Sequence, residues 1–274
     1  MCIKIRLTKN SLNVNIYTIM KGARCYMPRF FIRKDQISEE NGQKIISING
    51  DDAHHISRSL RMAVGERIEV CDMQKMVYYC TLSKFTDNSV FAVVEREAQS
   101  DTEPKYEIKL YQALSKGDKM ETIIQKSVEC GACEIVPFSS ERCVVKLDKK
   151  DEKKKIERYA KIAESASKQS GRGIIPKVER ILSFIDMLED AKKASLAILC
   201  YEGDGTLPLK EILQKNTINK DISIIIGSEG GFSQKEVELA KSRGIHLAGL
   251  GKRILRCETA APFTLACIAY ETEL

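Results

Sequence analysis

What this 274-residue sequence lacks narrows its reading before anything it contains. No apolar run approaches the roughly 18–20 residues of a membrane-spanning helix, so no membrane partner is expected. The first residues carry no apolar signal core, being interrupted by Asn10, Ser11, Asn13 and Asn15. Ten cysteines are present without the regular framework of a small secreted domain, which points to reduced thiols and a cytoplasmic location. Cys130 and Cys133, in "CGAC", form a lone CxxC, weak as a metal or redox signal, and no metal is expected. Neither G-x-x-x-x-G-K-[ST] nor an early G-x-G-x-x-G occurs, which argues against a nucleoside-triphosphate or dinucleotide enzyme. No internal repeat is evident.

The chain is long enough for one large or two ordinary domains. Its 43% hydrophobic and 30% charged residues are those of a soluble globular protein. The net charge of +6 is unevenly placed. Residues 1–26 hold Lys4, Arg6, Lys9, Lys21 and Arg24 and no acid, which leaves +1 for everything from Met27 onward. This extension reads as a disordered arm or an upstream start, with "MPRFFI" as the beginning proper. Residues 141–180 hold 13 Lys or Arg against 7 Asp or Glu. That concentration fits a polyanionic partner. Charge alone slightly favours a solvated helix face, because "KKKIERYAKIAESASKQ" sets Ile156, Tyr159, Ala160 and Ala163 at helical spacing with the lysines outward.

From Arg29 to about Glu97 the text reads as strands, among them "ERIEVCDMQKMVYYCTLSKF" and "SVFAVVERE". One helix interrupts, "DDAHHISRSLRMA", with Asp51 or Asp52 as its N-cap. Residues 27–97 are thus expected to form a small β-barrel, closed or partly open, ahead of the polar linker "AQSDTEPK". From residue 105 to 274 the pattern becomes strand–helix alternation. "YEIKLYQAL", "CEIVPF", "SLAILC", "ISIIIG" and "IHLAGLG" are near-continuous apolar runs, predicting an α/β unit whose parallel sheet is covered on both faces.

Two of these runs end in glycine-bearing turns that open helices. In "IIIGSEGGFSQKEVELA", Gly227, Gly230 and Gly231 permit tight turns and close approach of a ligand to bare amides. Ser233 and Glu236 have the spacing of a capping box. In "GLGKRILRCETAAPFTLACIAY", a helix begins at Glu258 or Thr259. Composition alone favours a structural βα turn over a site at "GSEGGFS". Lying at corresponding strand ends, the two turns are able to wrap one small ligand.

Taken with "MPRFFI", "HHISRSLRM", "ALSKGDKMETIIQKSVECGACEIVPFSSERCVV" and "SASKQSGRGIIPKV", these turns resemble the 16S ribosomal RNA uridine-N3 methyltransferase family of the SPOUT superfamily. The likeness runs from Met27 to the C-terminus. It implies a PUA-like barrel followed by an α/β domain with a C-terminal trefoil knot, working as a homodimer. It implies S-adenosylmethionine as cofactor and 16S rRNA within the small ribosomal subunit as partner. The cofactor residues carried over are Leu199, Tyr201, Ile226, Gly227, Gly231, Leu250, Gly251, Ile254, Leu255 and Thr259. Arg256 is expected to stabilise charge on the uracil, with Glu258 orienting or accepting a proton, and Arg172 as a second catalytic candidate. A capping role suits Glu258 equally, and a salt bridge across the dimer suits Arg256. RNA docking falls to Arg29, Arg58 and Arg61 in the barrel and to Lys116, Lys126 and Arg142 beyond it, with Lys119 nearby. His54 and His55 read as RNA-facing or structural. Ser228 stands where the family usually has proline, and Cys257 is assigned no nucleophilic role. The competing readings are a SPOUT enzyme acting on another nucleotide or a ribose, and a catalytically silent RNA-binding assembly factor. The presence of Gly227, Glu229, Gly230, Gly231, Gly251 and Arg256 weighs against the silent factor.

Overall fold

The computed structural model describes residues 27–145, 149–216, 218 and 220–274. The basic leader of residues 1–26 therefore lies outside the described residues. The first sheet comprises β1 (Arg29–Phe31), β2 (Ile37–Glu40), β3 (Gln43–Asn49), β4 (Arg67–Cys71), β5 (Met76–Phe85) and β6 (Ser89–Gln99). They lie in the order β1-β4-β5-β6-β3-β2, antiparallel except for the β1–β4 pair. Alternation builds the core, since Ile46 and Ile48 of β3 are buried while Ile45, Ser47 and Asn49 on the opposite face are partly or fully exposed. Register shifts at Tyr79/Cys80 and Leu82/Lys84 interrupt the long β5–β6 ladder, as bulges do where a sheet curls. The terminal strands β1 and β2 are not paired, so the barrel is partly open.

A short helix, α1 (Asp51–His54), runs on into a wider π turn over His55–Ser59, and Ala53 and Ile56 plug the barrel. Its N-cap is Gly50, with φ 66°, rather than Asp51 or Asp52. The chain reverses there in the left-handed region, which glycine enters without steric cost, and both aspartates move into the first turn.

The second sheet is wholly parallel. Its strands are β7 (Glu107–Ala113), β8 (Glu134–Ser139), β9 (Lys177–Val178), β10 (Leu182–Ser183), β11 (Leu196–Cys200), β12 (Leu207–Pro208), β13 (Asp221–Ile226) and β14 (His246–Gly249). The order is β10-β8-β7-β13-β11-β14-β12, with β9 also on β8. Around it lie α2 (Lys119–Glu129), α3 (Lys149–Ser170), α4 (Phe184–Ala191), α5 (Leu209–Lys215), α6 (Gln234–Ser242) and α7 (Cys257–Thr272). The middle strands are buried on both faces. Ile222, Ile224 and Ile226 of β13 enter the core beneath α2, α3 and α7, while Ile225 enters the opposite one with Tyr111 and Leu199. That two-sided burial is why the strand reads as an uninterrupted apolar run.

The barrel meets the parallel sheet at its amino edge. Arg29 of β1 pairs with Glu69 and donates to the carbonyl oxygens of Gly171 and Arg172. Arg172 pairs with Glu103 at 2.7 Å and donates to Val128 O and Ala132 O at 2.8 and 3.0 Å. Lys168 reaches Asp52 at 2.8 Å. This corrects two expectations. Arg172 is 2% exposed, with its guanidinium turned into the junction, so it is not available to a uracil or phosphate. Arg29, with a side chain 9% exposed, joins the two units instead of facing RNA.

Candidate functional site

At the carboxyl edge of the parallel sheet the turns after β11, β13 and β14 converge on one cavity of about 790 Å³. Tyr201 comes from the first turn, Ile226, Gly227 and Gly231 from the second, and Leu250, Gly251, Ile254 and Leu255 from the third. Arg256 and Glu258 line it from the start of α7, Lys119 from the start of α2, and Arg142 from the loop after β8.

The second turn is held from several sides. Gly231 N donates to Ser228 O at 2.9 Å, which folds residues 228–231 into a tight reversal with φ 64° at Gly231. Gln112 of β7 donates to Gly227 O at 3.2 Å, and Arg142 donates to Gly230 O at 3.1 Å. A Cβ on Gly230 would lie 2.9 Å from Arg142 Cβ, so glycine is required there by close approach. At Gly251 the requirement is conformational, with φ 102° and open space around it. The helix after the second turn starts with the expected capping box between Ser233 and Glu236. Glu236 is shared, since it also accepts Glu141 N at 2.8 Å, while Ser233 Oγ donates to Glu141.

Charge at the cavity is concentrated on its rim. Glu229 accepts Lys119 Nζ at 2.9 Å and Lys116 N at 3.1 Å. Partial burial raises the Glu229 carboxyl, but the bonds from Lys119 and backbone N–H groups outweigh it and hold the group below its usual range. Glu258 is likewise held low, first by its own backbone N–H, then by the Cys257 thiol and the charges of Lys119 and Arg256. Burial raises the Cys257 thiol and pushes Cys200 up to about 12, so neither is a thiolate at neutral pH. Cys130 and Cys133 are also raised by burial, in keeping with helix-end packing.

Two of the cofactor candidates lie off the cavity lining. Leu199 is fully buried in the core with Tyr111 and Ile225, because the strand's alternation turns it away and brings Cys200 to the wall. Thr259 is exposed on α7 and lies off the lining, which Glu258 and Ala260 reach instead. Arg58 and Arg61 are exposed on the barrel, Lys116 is exposed beside the rim, and Lys126 is exposed but paired with Glu129 at 2.9 Å. Sequence reasoning did not find the Lys119–Glu229 pair. Each residue stood in a singled-out stretch, but no spacing rule joins groups 110 positions apart. Among the described residues no group of three or more His, Cys, Asp or Glu is placed to hold a metal ion, and no helix is long and apolar enough to cross a membrane.

The cavity suits a nucleoside-sized ligand with a polar tail. Its volume falls within the range of small-molecule sites, and six glycines are among its lining residues. Among the described residues three buried side-chain atoms lack a hydrogen-bond partner, and two of them, Gln112 Oε1 and Ser228 Oγ, flank Gly227. Unsatisfied buried polar atoms are costly, about 1–3 kcal/mol each, and call for a functional explanation.

Residues 102–269 match a family model described as an RNA methyltransferase domain, and residues 48–95 match an RNA methyltransferase PUA domain. The ribosomal RNA small subunit methyltransferase E of Bacillus subtilis is 35% identical over 254 residues, covering 90% of this chain and 98% of its own. That of Mesomycoplasma hyopneumoniae is 36% identical over 205 residues, 73% of this chain and 84% of its own. A crystal structure of ribosomal RNA small subunit methyltransferase E from Neisseria gonorrhoeae, bound to S-adenosyl methionine, is similar with a TM-score of 0.79 at 28% identity. It covers 90% of this chain and 98% of that one. A putative methyltransferase from Legionella pneumophila in complex with the same cofactor gives the same TM-score, identity and coverage.

Proposed function

The chain belongs to the ribosomal RNA small subunit methyltransferase E family, and on that premise we propose that it methylates N3 of a uridine in small-subunit ribosomal RNA, using S-adenosylmethionine. The observation that carries this reading is the convergence of three glycine-bearing turns on one cavity. Backbone groups of Ile226, Gly227, Leu250 and Leu255 hold the adenosyl part, in turns whose shape depends on Gly231 and Gly251. When bound, the cofactor supplies an electrophilic methyl group at the charged rim. The chain's own residues do the rest. Arg256 stabilises the negative charge that spreads over the uracil carbonyls once N3 loses its proton. Glu258, held ionised, orients Arg256 and the start of α7 and is a poor proton acceptor.

Residues 27–97 act as the RNA-docking barrel and 105–274 as the catalytic unit. The C-terminal turns form the family's trefoil knot, and two copies pair as a homodimer acting on 16S rRNA in the small subunit. The dimer also accounts for a feature of the single chain, in which barrel and cavity occupy opposite edges of the parallel sheet. Incubating purified protein with methyl-labelled cofactor and unmodified small subunits, then mapping the label by mass spectrometry, tests the reading. Label on N3 of one uridine is expected. Label on a ribose or another base would overturn the uridine assignment, and no label at all would overturn the activity.

A further inference from the structure

Four cations line the cavity, Lys119, Arg142, Arg253 and Arg256, and they are not equivalent. Arg142 is committed to Gly230 O, whereas Arg253 and Arg256 stand exposed on one wall, the turn before α7. Lys119 comes from a different wall. It is the first residue of α2, and Glu258 at the start of α7 is near enough to act on it electrostatically. Local physics disfavours the placement. A cation in the first turn of a helix opposes the positive end of the helix dipole, at a cost of about 0.3–1 kcal/mol. Arg256, at the N-cap of α7, is placed against the same rule. Two helices thus begin at one cavity, each with a cation where an acid would serve the helix better.

Glu229 keeps Lys119 at that position. Its carboxylate is fixed by Lys116 N and takes one of the three ammonium donors, leaving donors for another acceptor. We propose that Lys119 is a catalytic residue whose ammonium contacts one carbonyl oxygen of the target uracil while Arg256 contacts the other. The assignment rests on the uridine-N3 reading above and deepens it.

The chemistry asks for two such groups. The N3–H bond breaks, its proton passes to water, and the electron pair left on N3 spreads to the carbonyl oxygens on either side. The N3–carbon bond then forms from that pair as the methyl–sulfur bond breaks, its electrons staying with sulfur. Negative charge therefore sits on two oxygens flanking the reacting atom and vanishes in the product. Cations presented by two different helix starts are matched to that charge and favour it over either neutral end state. Glu229 and Glu258 lie below the ordinary carboxylate range, so the cavity acidifies N3 rather than offering it a strong base.

The test compares the wild type with Lys119→Met and Lys119→Arg. Its RNA is a small-subunit rRNA fragment carrying 5-fluorouridine at the position that the mapping experiment identifies. Fluorine NMR of the protein–RNA complex without cofactor reads N3 ionisation directly. In Lys119→Met the N3 titration should move to higher pH by about one to three units. Transfer to natural RNA should fall about 100- to 1000-fold, with cofactor affinity and melting temperature unchanged, and Lys119→Arg should recover a substantial part. A titration identical to wild type would overturn the proposal. So would loss of cofactor affinity in step with transfer, because Lys119 would then act only by holding the Glu229 turn. Wild-type label on an atom other than uridine N3 would remove the premise itself, a result distinct from either of these.

Discussion

Single residues decide whether the cavity can hold and use its ligand. Arg256 lies on the lining at the start of α7 and is exposed, so removing its side chain opens no core. Arg256→Ala should lower methyl transfer about 100- to 1000-fold, the size expected for one group that stabilises developing charge. Its oligomeric state and its melting temperature should match wild type, and full activity in this variant would take Arg256 out of the mechanism. Gly227 is constrained differently. A Cβ there would lie 3.2 Å from the Phe232 ring and 3.3 Å from Gly231 Cα, so the two further methyls of valine must displace the turn or enter the cavity. Gly227→Val should abolish cofactor binding by calorimetry, and an unchanged affinity would show that the adenosyl group lies elsewhere. The glycines were legible as a group because their spacing after an apolar strand is local. Their separate reasons, crowding at Gly230 and positive φ at Gly231 and Gly251, belong to three-dimensional contacts that spacing does not encode.

At the scale of elements, what the sequence made readable follows range of interaction. β13 and the capped start of α6 depend on neighbours a few positions away, and both stand where the pattern put them. Glu141 adds itself to that cap from 95 positions off, which no local rule anticipates. Arg172 is the sharpest case. It sits between two glycines in "SGRG", where the resemblance made it a catalytic candidate, yet it joins the end of α2, the linker and the chain after α3. Its partners are Glu103, Val128 O and Ala132 O, between 40 and 69 positions away. Breaking a buried pair by removing one partner leaves an uncompensated charge, here Glu103, whose side chain is 7% exposed. Arg172→Ala should therefore cost about 3–5 kcal/mol in denaturant unfolding, while the folded fraction keeps wild-type cofactor affinity. Lost transfer at full stability would return Arg172 to the site.

For the whole molecule, the barrel and the cavity are set apart along the parallel sheet. The barrel is fastened at the amino edge of the parallel sheet, and the cavity opens at the carboxyl edge. Between them lies the length of β7, whose seven residues span about 23 Å at the usual rise per residue. Contacts of Arg29 with the chain after α3 and of Lys168 with Asp52 tie the barrel down at that distance within one chain, so under the reading proposed above its basic residues are candidates for docking RNA. Arg58 and Arg61 stand exposed on the barrel's helical segment and just beyond it. Replacing both with alanine should weaken RNA binding while cofactor affinity stays at the wild-type value. If each neutralises one phosphate, the slope of log K against log salt should become shallower by about 1.4–1.8, because each lost contact releases fewer counterions. A slope equal to wild type would mean that the barrel meets RNA through another face, and would shift docking to the exposed lysines of α3, among them Lys153, Lys154 and Lys161.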